Sequence, residues 1–444
     1  PDVEEMTPPE LRRVNELLHD DELLDAVESA MAKRWKMSRT FGRPGTPVEV
    51  ALRMLVLKHL RSWSYEQLEW EVRGNLVYRS FCKIGDGKVP DAKTMVRLGQ
   101  LMDGEVLEAV FARIVKQGVE KKVSRGRKMR IDTTVVETPI RHPLDSRMCE
   151  DIHRTLEREV KRVRSQGVAA RHPFRNRKRS IRRAVERIRA AGRTPTSRQK
   201  KQQALRAPYR KLLGITRASM RDAQRVMQAA KRTKRPLSSR AQRAVEVIKR
   251  TLALVAVVVS QTKARIFRGI TNSREKVVSI FEPHTQILRK GKVHKPTEFG
   301  RVVQVQEADG GLITHIGVTD EHDTKLLVPA IDQHRRIFGR VPTTVATDRG
   351  FFSTANVEAA ESSGVRCVAI PKPGFRSEKQ KEKERKRNFR KARAWRSGSE
   401  ARIAHLKHDF GMHRTRYRGP SGVHRAALWA GIASNLRVIA RTTP

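Results

Sequence analysis

The stretch VPTTVATDRGFF, residues 341–352, decides how this chain reads. Its β-branched run marks a buried strand, and the run stops at an acid, Asp348, with Arg349 and Gly350 behind it. A second run of the same character, RIDTTVV at 130–136, carries Asp132 inside it. A charge within an apolar strand is costly unless something binds it. Neighbouring strands in one sheet would aim both carboxylates into a single crevice. Two hard oxygen ligands so placed repel each other, and a divalent cation such as Mg²⁺ relieves the repulsion. Two such ions about 4 Å apart clamp the attacking and leaving oxygens of a phosphodiester displacement.

Working outward, three more strand-like runs precede residue 341: KVVSIFEP (276–283), FGRVVQVQEA (299–308) and GLITHIGVT (311–319). Asp309-Gly310 between the last two is a type I′ hairpin signal. A helix is expected over 324–338 and a short strand in GVRCVAIP, 364–371. The mixed segment EKQKEKERKRNFRKARAWR (378–396) reads as a basic linker running into a long helix, and an amphipathic helix fills 422–440. Strands followed by alternating helices and strands predict an α/β fold with a mixed-sheet core.

Before residue 120 the pattern is helical. TPVEVALRMLVLKHLRSWSYEQLEWEV holds two start signals, Thr46-Pro47-Val48-Glu49 and Ser64 with Gln67, with Trp63 and Leu68 placed for a hydrophobic staple. Val48, Leu52, Leu55, Val56 and Leu60 form one helical stripe. The pattern suits a bundle that binds DNA and one that only packs or dimerises equally well. Residues 151–250 differ: 32 Lys+Arg stand against 6 Asp+Glu, an excess of 26, with almost no aromatics and apolar positions every three or four residues. A solvated helical arm and an arm lying along DNA phosphates are the two readings. The density of arginine favours the second, without sequence specificity.

The whole chain has 444 residues and 94 Lys+Arg against 47 Asp+Glu, a net charge of +47. Such an excess calls for an anionic polymer, and phosphate backbone is the usual one. Three scattered cysteines without a C-x-x-C pair argue against a disulfide framework or structural zinc site and fit a reducing cytosol. The longest apolar run, LALVAVVV (252–259), is far too short to span a bilayer, so a cytoplasmic, nucleoid-associated protein without a membrane partner is expected.

A third carboxylate is offered by the helix after residue 386. Arg396, Glu400 and Lys407 lie within about a 40° stripe, since steps of four and seven residues return to one face. An acid flanked by cations suits a metal ligand with phosphate-gripping neighbours. The same spacing also describes an ordinary surface ion pair between Arg396 and Glu400. Among other acids, Asp145 reads as a turn residue, Glu137 faces away from Asp132, and Asp320 and Asp323 read as caps of the 324–338 helix. His142, His294, His405 and His408 form no metal-ligand spacing, and Trp395 reads as a packing residue.

IDTTVVE, VATDRGF and WRSGSEARIAHLKHDFGMHRTRYRG together resemble the DDE transposases of bacterial insertion sequences, whose catalytic core is RNase H-like. RPGTPVEVALRMLVLKHLRSWSYEQLEWEVRGNLVYRSFC resembles their helical N-terminal domain. The resemblance implies that Asp132, Asp348 and Glu400 are the catalytic, metal-holding acids, with Mg²⁺ (two ions, Mn²⁺ substituting) as cofactor. It further implies that the chain cuts double-stranded transposon ends, joins them to target DNA, and works as a homodimer or larger assembly. The family's last-helix signature runs tyrosine, arginine, glutamate, lysine. Arg396, Glu400 and Lys407 fit it, while Arg393 stands at the tyrosine position. Arg349, Arg393, Arg396, Lys407, Arg414 and Arg416 are the candidate DNA contacts. The expected layout is a helical N-terminal domain (1–120), the first core strand with its exit loop (121–150), a basic helical insertion (151–265) and the remainder of the core (266–444). The insertion, the part least like the family, separates Asp132 from Asp348 by 216 residues and must be structured on its own. A nuclease that cuts without joining, and a non-catalytic DNA-binding protein, are the alternatives; an intact acidic triad argues against the latter.

Overall fold

A computed structural model describes residues 3–32, 45–169, 171–193, 197–233, 236–271, 276–289 and 296–442. His294 lies outside them. The chain divides into two compact units, one formed by 1–139 with 288–444 and the other by 140–287. Along the chain the strands are β1 (Lys128–Glu137), β2 (Gln286–Leu288), β3 (Glu298–Ala308), β4 (Ile313–Thr319), β5 (Thr344–Ala346) and β6 (Cys367–Ala369).

Five of these strands build the mixed sheet of the first unit, in the order β4-β3-β1-β5-β6. β3 pairs antiparallel with β1 and β4, whereas β1–β5 and β5–β6 are parallel. Alternation along the strands sorts side chains onto two faces. Met129, Ile131, Val345 and Val368 pack with Leu327, Ile331 and Phe351, beneath the helices Leu327–Phe338 and Thr354–Ser362. Ala346 and Ala369 face the other way, onto Phe389 and Ala392 of the helix Arg387–His408. The expected hairpin forms with a three-residue turn, Asp309–Gly311, in place of a two-residue one. Gly310 is required there: its φ is +78°, and a Cβ would lie 2.0 Å from the Val123 carbonyl oxygen.

The N-terminal helices share one apolar core with Val136, Val303 and Val305 of the sheet and with the C-terminal helix Gly422–Thr442. Asn435 ties that last helix to β4, donating to the Ile313 carbonyl at 2.8 Å and accepting from its amide at 2.9 Å. The helix Val48–Leu60 is buried on every side from Val50 onward, so the single apolar stripe read from the sequence was too narrow. Its start also differs: Pro47 is the cap residue, without a side-chain bond, and Glu49 turns to Arg53 instead. The Ser64 cap forms as expected, accepting from the Gln67 amide at 3.1 Å.

Four helices, Asp145–Arg164, Lys178–Arg193, Arg198–Arg232 and Ser239–Arg268, fill the second unit around their own core of Ile152, Leu156, Leu212, Val226, Ile248 and Val255. The expected strand at 276–283 does not form. Its backbone is satisfied differently: the Gln261 side chain donates to the Val277 carbonyl at 2.8 Å and accepts from the Val277 amide at 3.0 Å. The basic linker is likewise helical over Glu378–Arg385, capped by Ser377 and supported by the Lys381–Glu378 pair. Among the described residues no helix is long and apolar enough to cross a membrane.

Candidate active site

Parallel pairing of β1 with β5 sets Lys128 opposite Thr344, Met129 opposite Val345 and Arg130 opposite Ala346. The chain stays extended through Asp348, so two further steps in the same register bring Asp132 and Asp348 abreast. Asp348 follows the fourth strand of this sheet and caps the turn Arg349–Phe351, its Oδ1 accepting from the Gly350 amide at 2.9 Å. Asp132 is buried in β1. Its Oδ1 accepts from the Thr133 amide at 2.8 Å, and its Oδ2 from Ser399 Oγ at 2.9 Å and Arg396 Nη2 at 3.0 Å. Burial raises the pKa of Asp348 above its ordinary value and the charge of Asp132 raises it further, against the pull of the Gly350 amide and Arg396. Such a pair favours whatever brings positive charge to it.

The sheet holds the helix Arg387–His408 by polar contacts. Arg130, opposite Glu307 in the β1–β3 register, donates to it from Nη2 at 2.7 Å and from Nε at 3.2 Å. The same guanidinium donates to the Trp395 carbonyl at 2.6 Å and lies 4.8 Å from the Trp395 ring centroid. Arg402 reaches Glu307 from the helix at 3.3 Å. Gly398 permits this approach, since a Cβ there would sit 2.6 Å from Arg130 Nη1. Glu307 went unnoticed in the sequence, although a signal was present. An acid in QVQEA and a base in MRID are inward-facing charges in two apolar strands, and each needs the other.

Glu400 projects from this helix with its side chain 74% exposed and receives Arg396 Nη1 at 3.3 Å. Arg396 therefore bridges Asp132 and Glu400: the structure brings Asp132 and Asp348 together and leaves Glu400 one guanidinium away. No group of three or more His, Cys, Asp or Glu among the described residues is placed to hold a metal ion. The donor set nevertheless fits a hard cation. It consists of carboxylate oxygens, and the charge they require is supplied here by Arg396. Asp323 does not cap the helix that follows, whose first residue is preceded by Leu326. Instead it accepts from Thr133 Oγ1 at 3.1 Å and adds to the rise in Asp348's pKa.

Arg349 and Arg393 are exposed, and Lys407 is half-buried. Arg414 Nε donates to the Thr138 carbonyl at 3.3 Å and Arg416 Nη1 to the Trp63 carbonyl at 3.4 Å. Asp320 pairs with Arg301 at 2.8 Å rather than capping a helix. Asp145 opens a helix of the second unit and pairs with Arg265 at 2.7 Å, not in a turn. Glu137 joins by its backbone to His413 and Thr415. His405 pairs with Asp409 at 2.7 Å, and Trp395 packs beside Phe389 and Ala392.

Residues 2–101 match the family described as transposase domain (DUF772), and residues 283–436 match the transposase DDE domain. The second span contains Glu307, Asp348, Arg396, Glu400 and Lys407, while Asp132 lies in neither. No curated protein and no solved structure matches the chain significantly. A DDE domain implies an RNase H-like core, which agrees with a mixed sheet carrying one acid in β1 and another just past the parallel neighbour β5. The two matched domains, together with that sheet, identify the chain as a member of the DDE transposases.

Proposed function

We propose that this transposase cuts the ends of its element and transfers them to target DNA with Asp132, Asp348 and Glu400 as its catalytic carboxylates. The observation that supports the assignment is the β1–β5 register, which pairs Arg130 with Ala346, each two residues before its acid, together with the charge of Asp132 felt by Asp348. Divalent metal ions, two Mg²⁺ with Mn²⁺ as substitute, would be held by these three acids and would supply charge neutralisation at the scissile phosphate. Cleavage joins a water oxygen to phosphorus and releases a 3′-OH. In strand transfer that 3′-OH attacks a target phosphate and displaces another 3′ oxygen. No protein nucleophile takes part.

The chain's residues position this chemistry. Ser399 and the Thr133 amide orient the Asp132 carboxylate, and the Gly350 amide orients Asp348. Arg396 holds both Asp132 and Glu400, and a divalent ion held by these acids would replace its charge there and leave the guanidinium available to a DNA phosphate. Arg349, Arg393, Lys407, Arg414 and Arg416 grip the strands, and the basic second unit tracks backbone phosphates. Paired ends would require a homodimer or larger assembly.

The test incubates full-length protein with labelled duplex carrying the gene's own flanking ends, with Mg²⁺ or Mn²⁺. Wild type should nick and join these ends. Asp132→Asn, Asp348→Asn and Glu400→Gln should bind the duplex and do neither. Full activity in Glu400→Gln removes the third ligand, and cutting without joining converts the reading to a nuclease.

A further inference from the structure

Apart from the acidic crevice, the first unit contains a cavity of about 520 Å³, lined by the end of the helix Val48–Leu60, the start of Tyr65–Gly74, part of Ala92–Leu101 and residues of 410–426. Two cations are buried in the helix Val48–Leu60, and they are treated differently. Arg53 is neutralised by Glu49 at 2.8 Å and accepted by Asn15. Lys58 faces the cavity, its ammonium 4.7 Å from the Tyr65 ring centroid, and no carboxylate pairs with it among the described residues. Buried charge without a counter-ion is costly, so the site lacks an anion of its own.

The groups around Lys58 deepen that deficit. Arg416, Arg418 and Arg425 line the same cavity, and its single acid, Glu66, is exposed. Arg425 lies 4.6 Å from the Tyr417 ring and donates to the Gly99 carbonyl, yet its Nε is buried without a hydrogen-bond partner. Tyr417 and Tyr65 hydrogen-bond to each other, and the Tyr417 hydroxyl sits 3.1 Å from His59 Nε2. His59 stacks on Trp429 at 4.4 Å. Burial, then the charges of Lys58, Arg416 and Arg425, hold its pKa well below the usual imidazole value, so it adds no charge. Trp63 completes an aromatic wall. A cationic floor beside aromatic rings matches one ligand chemistry, a phosphate joined to a flat base. The volume lies within the roughly 300–1,000 Å³ usual for small-ligand sites.

We propose that this cavity binds a single nucleotide, with its phosphate on Lys58 and Arg416 and its base against the wall of Trp63, Tyr65 and Tyr417. The nucleotide is either a unit of a single DNA strand or a free mononucleotide. The site is separate from the acids and does not rest on their catalytic assignment. Burial and the charge of Arg416 lower Lys58 to a pKa of about 8. A phosphate binds the protonated ammonium, so affinity falls as pH rises through that value.

The experiment titrates deoxyadenosine 5′-monophosphate, and separately inorganic phosphate, into full-length protein by calorimetry. In parallel, a short single strand bearing a photoreactive base is cross-linked and the adduct located by mass spectrometry. The monophosphate should bind wild type more tightly than phosphate does. Binding should weaken roughly ten-fold or more in Lys58→Met, which keeps an apolar chain in the core, and in the exposed Arg416→Gln. It should also weaken between pH 7 and 9 in wild type but not in Lys58→Met. A cross-link on Trp63, Tyr65 or Tyr417 assigns the strand as source, and monophosphate binding without one assigns the free nucleotide. Phosphate binding as tightly as the monophosphate overturns the nucleotide assignment. Unchanged affinity in both variants, or neither binding nor a cross-link in the cavity, overturns the site. Asp348→Asn should bind the monophosphate as wild type does, which separates this result from any failure of the catalytic assignment.

Discussion

Replacing Glu307 with Gln tests how the helix bearing Glu400 is anchored. Glu307 is 5% exposed at its side chain and receives three charge-assisted hydrogen bonds, two from Arg130 and one from Arg402. Glutamine keeps the shape and one acceptor oxygen but removes the charge. Arg130, 9% exposed, and Arg402, 17% exposed, are then like charges without their shared counter-ion. Breaking a buried pair costs about 3–5 kcal/mol, and the retained acceptor with partial rehydration of Arg402 places this case near ~3 kcal/mol. At about 2.1 cal/mol/K of unfolding entropy per residue, a unit of roughly 300 residues shifts by about 1.6 °C per kcal/mol, so the melting temperature should fall by roughly 5 °C. Differential scanning calorimetry reads the shift. Trp395 fluorescence should change as well, because Arg130 no longer has Glu307 to hold it over the ring. A melting temperature within about 1 °C of wild type, with unaltered Trp395 emission, would refute the anchoring role.

Other substitutions follow from the same geometry. Asp348→Asn should stabilise the apo protein at neutral pH while abolishing cleavage. An acid whose folded pKa is raised contributes most below its unfolded value, and that contribution is lost as pH climbs through the raised one. Its advantage over wild type in thermal melts should therefore shrink on acidification towards pH 4, and a constant difference would contradict the pKa shift. Gly398→Ala drives a methyl against Arg130 Nη1, which Glu307 and the Trp395 carbonyl hold in place. A loss of about 1–3 kcal/mol is expected in chemical denaturation. Arg396→Gln removes the guanidinium that stands between Asp132 and Glu400, so Mn²⁺ should stabilise this variant against heat at lower concentration than it does wild type. In the second unit, Arg183 and Arg187 are exposed on the helix Lys178–Arg193. If both contact phosphates, the double glutamine variant should flatten the plot of log affinity against log salt by about 1.8.

Local pattern determined much of this protein. A period of two around Asp132 and before Asp348, and three to four residues elsewhere, is enough to name the strands β1, β3, β4, β5 and β6, the long helix bearing Glu400, and the charge that requires a polyanion. Such signals survive because they depend on residues a few positions apart. Where tertiary context won, the expectation failed. The segment 276–283 has a strand's composition, yet the Gln261 amide takes its hydrogen bonds. Val48–Leu60 shows one apolar stripe, yet it is surrounded on all sides. Only the folded chain decided that Asp132 and Asp348 stand abreast, because that rests on a strand register joining residues more than two hundred positions apart. It also decided that Arg130 and Arg402 share Glu307, that Arg396 spans Asp132 and Glu400, and that Lys58 faces a cavity whose one acid, Glu66, is exposed. Spacing along a helix or strand reports which face a side chain occupies, whereas the identity of its partner across the core is set by packing between distant segments.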